Sequence, residues 1–250
     1  KNIEKKKKKH PQPLFLKTSE NLILNIARKV VQEKKKTFLI GITGESASGK
    51  TVFVDNTIKA CVKEKKEGIY TVIRCDDYYK DTSKELIEAG SYEALFKTGF
   101  SFDTPDAIDL ELMKKHLMKL KTGKEITSPK YDFVTCVSDP NGDIKKPAKV
   151  VLTEGLYVLN EGLRDIMDVK VYVYTPLEVI KDRWYRRAAL RGKTGKAADL
   201  QFQDVNKTAQ QYIRPAYQIS DAVINGMVSQ EYIQEITDKI FYTLQKIVEY

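Results

Sequence analysis

The sequence has few of the side chains that most often build metal centres or covalent cross-links. Its 250 residues include three Cys, two His and one Trp. The cysteines Cys61, Cys75 and Cys136 are odd in number and far apart, which argues against a disulfide framework or a zinc site and favours a reducing compartment. With His10 and His116 as the only histidines, a histidine-based metal site or catalytic triad is not expected.

Long apolar runs are also absent. The longest, near residues 38–42 and 150–152, are far shorter than the roughly 20 residues that a membrane-spanning helix needs. No apolar segment follows the basic run near the start, so the pattern of a secretory signal peptide is missing. Together with the unpaired thiols, these features predict a cytoplasmic protein that has no membrane partner.

Positive charge is unevenly distributed along the chain. The formal net charge is +9, of which residues 1–10 supply +5 and all the others together +4. We expect residues 1–17 to form a basic, disordered tail, with contact to phosphate groups or an acidic membrane as the less favoured interpretation. Residues 18–36 have the apolar spacing of a helical extension, and residues 37–250 are expected to form one domain.

Short apolar segments alternate with helical patterns through that domain. Strands are predicted at residues 38–42, 69–75, 150–153, 169–174 and 222–224, and helices at 49–63, 84–97, 109–121, 177–190, 201–213 and from about 230 onward. This alternation predicts an α/β fold in which a parallel sheet is flanked by helices on both faces. Ligands bind such sheets beyond the carboxyl ends of the strands.

A phosphate-binding loop follows the first predicted strand. It matches the pattern G-x-x-x-x-G-K-[ST] with Gly44, Glu45, Ser46, Ala47, Ser48, Gly49, Lys50 and Thr51. Glycines allow the backbone N–H groups to point at phosphate oxygens, and the next helix begins with its positive end there. Lys50 is expected to reach the β- and γ-phosphates of ATP and Thr51 to ligate Mg²⁺. The position between an apolar strand and a helix favours a P-loop NTPase-type fold.

Carboxylates follow the second and third predicted strands. Asp76 and Glu154 are placed to hold Mg²⁺ or its waters beside the phosphate loop, and one of them could accept a proton from an acceptor hydroxyl. Asp77 is a weaker candidate because adjacent side chains on an extended chain point to opposite sides.

A cluster of cations occupies the helix predicted after the fourth strand. Regular spacing lets several of them share one helix face, and Gly192 and Gly195 would let residues 183–200 close as an arginine-rich lid. A solvated basic face is the simpler explanation, but phosphoryl transfer needs cations over the transferring group. The cluster comprises Arg183, Arg186, Arg187, Arg191 and Lys193.

Several motifs in order resemble the uridine kinase family, within the wider phosphoribulokinase/uridine kinase group. Besides the phosphate loop and the lid, they are Asp76-Asp77-Tyr78-Tyr79-Lys80 (family D-S-F-Y), Phe102-Asp103-Thr104-Pro105-Asp106-Ala107 (F-D-x-P-D-A), Pro129-Lys130-Tyr131-Asp132-Phe133 (P-x-Y-D-F) and Glu154-Gly155. The resemblance spans about residues 38–226. It implies an ATP-dependent, Mg²⁺-assisted kinase of nucleosides, uridine or cytidine, acting in pyrimidine salvage, with a substrate-binding insertion and a homo-oligomeric assembly.

The resemblance also implies roles for matching residues. Asp76 would be the general base and a metal ligand, with Thr51 and Glu154 completing the metal site. Asp103 and Arg183 would hold the ribose hydroxyls, while Arg186 and Arg191 would act on ATP from the lid. Lys50, Arg183 and Arg186 would stabilise the transferring group. The remaining acceptor-binding residues would be Tyr79, Tyr131, Phe133, Cys136 and Lys193.

Two of these positions differ from the family pattern. Cys136 stands where the family has a His that contacts the pyrimidine, and a thiol is a poor donor or acceptor. Lys193 stands where the family tends to have Arg, which weakens two-pronged contact. The base is therefore the least determined part of the predicted substrate.

Three alternatives to a nucleoside kinase follow from the residues. A kinase of another small alcohol, such as a sugar phosphate or vitamin, is favoured by Cys136 and opposed by the motif around Asp103. A GTPase-like switch would need N-K-x-D, whereas residues 206–209 read N-K-T-A. A nucleic-acid-binding protein would use the Lys-rich tail.

Overall fold

The computed structural model describes residues 37–63 and 70–227, with backbone only for residues 57–63. Within them, strands β1 (Phe38–Gly44), β2 (Tyr70–Arg74), β5 (Val150–Glu154), β6 (Val169–Tyr174) and β7 (Ala222–Asn225) form a sheet in the order β2-β5-β1-β6-β7. All four neighbouring pairs are parallel. The predicted α/β class with a parallel sheet is confirmed.

Burial on both faces explains why the sheet strands are so apolar. Every residue of β1 and β5 is buried, as expected for central strands with helices or loops over each face. One face packs against a cluster that includes Leu39, Ile73 and Val151, and the other against a cluster that includes Ile42, Phe53 and Leu152. Parallel alignment brings the ends of β1, β2 and β5 to the same edge, where the phosphate loop also begins.

The helices differ from the predicted ones mainly at their ends. They are α1 (Lys50–Lys63), α2 (Ser83–Ala89), α3 (Tyr92–Lys97), α4 (Leu110–Lys121), α5 (Leu177–Leu190), α6 (Gly195–Thr208) and α7 (Ala216–Ile219). The single helix predicted over residues 84–97 is wrong. Gly90 closes α2 in a left-handed conformation, and the Ser91 side chain accepts a hydrogen bond from the Ala94 N–H at the start of α3.

A two-stranded antiparallel hairpin was not predicted from the sequence. It pairs β3 (Ile126–Tyr131) with β4 (Ser138–Lys145). Pro129 and Pro140 oppose a strand prediction, and β4 is exposed over most of its length, so no apolar alternation marks it. The hairpin belongs to the chain between β2 and β5, which also contains the predicted acceptor-binding residues Asp103, Tyr131 and Phe133.

The helix predicted over residues 201–213 begins earlier and changes character. Helix α6 starts at Gly195 and passes into a π-helical turn, Ala209–Ile213, after which the Arg214 N–H donates to the Ala209 carbonyl. Short 3-10 turns occur at Cys75–Tyr78, Pro105–Ala107 and Arg164–Ile166.

No helix in the described ranges is long and apolar enough to cross a membrane. The predicted tail, the extension over residues 18–36 and the last helix lie outside these ranges.

Candidate active site

The phosphate loop connects β1 to α1 in a strained, tightly packed turn. At Gly44 the backbone has φ 152°, and a Cβ would lie 2.4 Å from the Val173 carbonyl oxygen, so only glycine fits. Ala47 has φ 66°, a left-handed conformation that is uncommon outside glycine. The Thr175 hydroxyl donates to the Ser48 carbonyl at 2.8 Å and ties the loop to the chain after β6.

Lys50 lies inside the curve of this loop. Its Nζ donates to the carbonyl oxygens of Gly44 at 2.9 Å and Glu45 at 3.0 Å. Burial lowers the pKa of the amine, and the negative charges of Glu154 and Asp76 oppose that shift. The amine is therefore held at the loop, where it supplies a positive charge for anion binding at this edge of the sheet.

Acidic side chains meet where β2 and β5 end. Arg74 and Glu154 are directly paired in the sheet register, and the Arg74 Nη1 lies 2.8 Å from the Glu154 Oε1. The Thr51 hydroxyl donates to the other oxygen of Glu154 at 3.3 Å. Burial, followed by the nearby charge of Asp76, raises the pKa of Glu154. Asp76 sits in the 3-10 turn after β2. It lines a cleft that begins at the phosphate loop and is also bordered by Lys50, Tyr79, Asp103, Phe133 and Glu154.

These oxygens fit a hard divalent cation. Among the described residues no group of three or more His, Cys, Asp or Glu forms a ready cage. A magnesium ion usually needs only one or two carboxylates, because substrate phosphates and water supply its other ligands. Asp76, Glu154 and the Thr51 hydroxyl provide such a partial set, and a cation would offset both the burial of the Glu154 charge and its repulsion by Asp76.

Helix α5 presents only part of its arginine cluster to the cleft. Its buried side is marked by Ile180, Trp184 and Ala188. Arg187 lies on that side, lines the cleft and donates from Nη2 to the Ser46 hydroxyl. Arg191, just past the helix, also lines the cleft and places its guanidinium 3.7 Å from the Phe133 ring centroid.

Arg186 and Arg183 lie elsewhere than the sequence prediction placed them. Arg186 is on the opposite side of α5, its side chain 78% exposed and paired with Asp182 at 3.0 Å, because successive helical residues turn by about 100°. Arg183 donates to the Gly226 carbonyl at 3.0 Å and lies near Gly49, beside the phosphate loop rather than beside Asp103. The structure thus places Arg183 at the phosphate loop and not with Asp103, and it leaves Arg186, which is predicted to act on ATP, outside the cleft lining.

The other end of the cleft is lined by aromatic rings. Tyr79, Tyr131 and Phe133 pack on one another with centroids 5.1–5.6 Å apart. All three also line the cleft, together with Cys136 and Lys193. Two segments distant in the sequence, one after β2 and one at the end of β3, therefore build one wall.

Lys193 and Cys136 are both buried at this aromatic end. The Lys193 Nζ lies 4.5 Å from the Tyr92 ring centroid and 4.7 Å from that of Phe102, as in a cation–π contact. Burial lowers the pKa of this amine to about 8. The Cys136 Sγ is 3.5 Å from the Tyr92 hydroxyl, and its backbone is left-handed with φ 60°.

Asp103 is a buried carboxylate in the same part of the cleft. Burial raises its pKa to about 6, although Gln201 donates from Nε2 to its Oδ2 at 3.3 Å and Lys193 contributes positive charge. The Tyr157 hydroxyl donates to the Asp103 backbone carbonyl. The carboxylate is held in place and still has lone pairs for hydroxyl groups.

Arg187 and Gln201 are cleft residues that the sequence prediction did not assign to the site. Arg187 shares a four-residue spacing with Arg183 and Arg191, a signal that could have ranked it above Arg186. Gln201 has no such signal, and its buried Oε1 lacks a hydrogen-bond partner in the described part of the chain. Asp77 does not line the cleft, which agrees with its weaker ranking.

A phosphate loop with its lysine, strand-end carboxylates and facing arginines defines a P-loop nucleotide-binding enzyme. Comparison with known proteins narrows the class. The phosphoribulokinase/uridine kinase family model matches residues 39–232, and the chain belongs to this family. It is an ATP-dependent kinase.

Individual relatives agree with this assignment. A uridine kinase of Vibrio vulnificus (strain YJ016) is 32% identical over 200 residues, which cover 78% of this chain and 89% of that enzyme. A uridine kinase of Lactococcus lactis subsp. lactis (strain IL1403) is 32% identical over 210 residues, covering 82% and 97%. A solved chain from Silicibacter sp. TM1040, described as a fructose transport system kinase, has a TM-score of 0.58 at 18% identity and covers 82% of this chain and 98% of that one. That last likeness supports the fold alone.

Proposed function

We propose that the protein transfers the γ-phosphoryl group of ATP to the 5′-hydroxyl of a nucleoside, with uridine or cytidine as the favoured acceptor. The observation that carries the proposal is that Lys50, Asp76 and Asp103 line one cleft, with aromatic rings at the Asp103 end. A phosphate-binding cation, a candidate base and a hydroxyl-binding carboxylate are thereby aligned beside flat apolar surfaces, to which a nucleobase can pack.

Each end of the cleft would contribute to an in-line transfer. Asp76 would accept the proton of the attacking hydroxyl, while Lys50, Arg187 and Arg191 would stabilise negative charge on the transferring group. Asp103 would hold the sugar hydroxyls, so that the nucleophile is fixed in position. Bound through Asp76, Glu154 and Thr51, Mg²⁺ would neutralise charge on the phosphate oxygens.

The relatives support a nucleoside as the acceptor, and one residue favours a second candidate. Both relatives named above are uridine kinases. Cys136 is a buried thiol at the acceptor end, and a thiol is only a weak hydrogen-bond donor and acceptor. A kinase of a sugar phosphate or vitamin, whose acceptor lacks a pyrimidine edge, would tolerate that substitution.

Release of ADP over a panel of acceptors tests the proposal. The wild-type protein is assayed with five acceptors: uridine, cytidine, adenosine, ribulose 5-phosphate and pantothenate. We expect turnover only with a pyrimidine nucleoside. Asp76→Asn should lower kcat by about 100-fold or more, since proton transfer contributes that much. Asp77→Asn is the matched control, because its carboxylate does not line the cleft, and it should stay near wild type.

The outcomes separate two claims. If the panel shows turnover with pantothenate or the sugar phosphate and none with a nucleoside, the acceptor assignment is wrong. If Asp76→Asn turns over uridine as fast as Asp77→Asn does, Asp76 is not the base.

A further inference from the structure

The phosphate loop carries a negatively charged residue. Glu45 is the second residue of the loop motif and is followed by Ser46, whose hydroxyl faces the cleft. ATP brings several negative charges to this loop, and like charges a few ångströms apart repel strongly where water is partly excluded. A free carboxylate at this position would oppose nucleotide binding.

The Glu45 side chain lies on the other side of the loop from the cleft. It borders a separate cavity together with Tyr172, Tyr174, Tyr217 and Arg214. Arg214 holds it by two parallel hydrogen bonds, from Nε to Oε1 at 3.0 Å and from Nη2 to Oε2 at 2.9 Å. The Glu45 side chain is only 12% exposed, so this ion pair is better shielded from water than a surface pair.

Arg214 is itself fixed from two directions. Its Nη2 also donates to the Asn206 Oδ1 of helix α6 at 2.7 Å. Its backbone is set by the π-helical turn that precedes it, through the bond from its N–H to the Ala209 carbonyl. Contacts other than Glu45 therefore help to orient the guanidinium. A fixed orientation suits two parallel hydrogen bonds from this planar group to a carboxylate.

The backbone of Glu45 connects this ion pair to the catalytic lysine. The Glu45 carbonyl accepts one of the hydrogen bonds of the Lys50 Nζ. Rotation of the Glu45 side chain toward the cleft would place its charge near the phosphates and disturb the peptide that orients Lys50.

We propose that Arg214 is a positioning residue for ATP, which neutralises Glu45 and holds its carboxylate on the side of the phosphate loop away from the cleft. The loop can then bind a triphosphate without an opposing charge. Arg214 does not touch the nucleotide in this arrangement, and its effect passes through Glu45.

The test is a cycle of variants in which the dissociation constant of ATP with Mg²⁺ is measured by calorimetry, without any acceptor. Arg214→Ala leaves Glu45 unpaired and should weaken ATP binding by about tenfold. Glu45→Gln removes the charge, and in that background Arg214→Ala should change ATP affinity by less than about twofold, because a neutral amide does not repel phosphate. The double variant should recover most of the loss caused by Arg214→Ala.

Recovery of ATP affinity in the double variant distinguishes this proposal from one in which the Arg214–Glu45 ion pair only stabilises the fold. A double variant as weak as Arg214→Ala, or an Arg214→Ala protein with wild-type affinity, would overturn it. Glu93→Ala is the control, since it breaks an exposed ion pair with Lys97, at 2.7 Å, and should not change ATP affinity. If Arg214→Ala does not fold, Arg214→Gln and its Glu45→Gln double are compared in the same way.

Discussion

The two ends of the cleft are built differently. The phosphate end comes mostly from one continuous segment, residues 44–51, together with strand ends that the parallel sheet brings to one edge. The acceptor end, marked by the aromatic rings, is assembled from side chains between Tyr79 and Cys136 together with Lys193 and Gln201. Both departures from the family pattern, Cys136 and Lys193, lie at the acceptor end. We therefore expect ATP binding to depend on the loop backbone and the cations around it, and acceptor choice on a few replaceable side chains.

The largest expected effect tests which arginine of α5 serves the phosphate end. Arg187→Ala should lower kcat/KM for ATP by about 100-fold, because it removes a cation that faces the phosphate loop. Arg186→Ala should stay within about twofold, since it removes only an exposed ion pair with Asp182. Steady-state kinetics at saturating acceptor measure both, and the reverse order would return Arg186 to the site.

A smaller effect, on acceptor affinity, is expected when the Asp103 carboxyl group is titrated. Because burial raises the Asp103 pKa to about 6, the carboxylate is mostly ionised at pH 7 and mostly protonated at pH 5. The ionised form accepts hydroxyl hydrogen bonds on both oxygens and more strongly than the protonated form, so acceptor affinity should fall about tenfold from pH 7 to pH 5. Asp103→Asn should bind the acceptor weakly at both pH values. Equal pH dependence in both proteins would assign the titration to another group.

The smallest effect concerns the base. Cys136→His should lower the KM for uridine by about fivefold, since an imidazole supplies one hydrogen bond that the thiol makes poorly. Histidine tolerates the left-handed backbone of this position better than most residues. The KM for ATP should not change, because Cys136 lies at the other end of the cleft. An unchanged uridine KM would mean that this position does not read the base.

Local patterns were sufficient for the sheet and the phosphate loop. Short apolar runs indicate buried strands, which made β1, β5 and β6 predictable. The loop from Gly44 to Thr51 was predictable because it is a contiguous motif. The β3–β4 hairpin was not, because its prolines and exposed residues hide the strand period. The break between α2 and α3 was missed although Gly90 and Ser91 are recognisable end signals.

Side-chain direction separates what the sequence determined from what the tertiary structure decided. The sequence alone determined the fold class, the triphosphate loop and the carboxylates Asp76 and Glu154, since these depend on strand ends and on local backbone. Only the packing of α5 decided that Arg187 faces the cleft while Arg186 faces solvent. Likewise, only the folded chain joins Arg214 to Glu45 across 169 positions of sequence, because an ion pair between distant segments leaves no periodic trace.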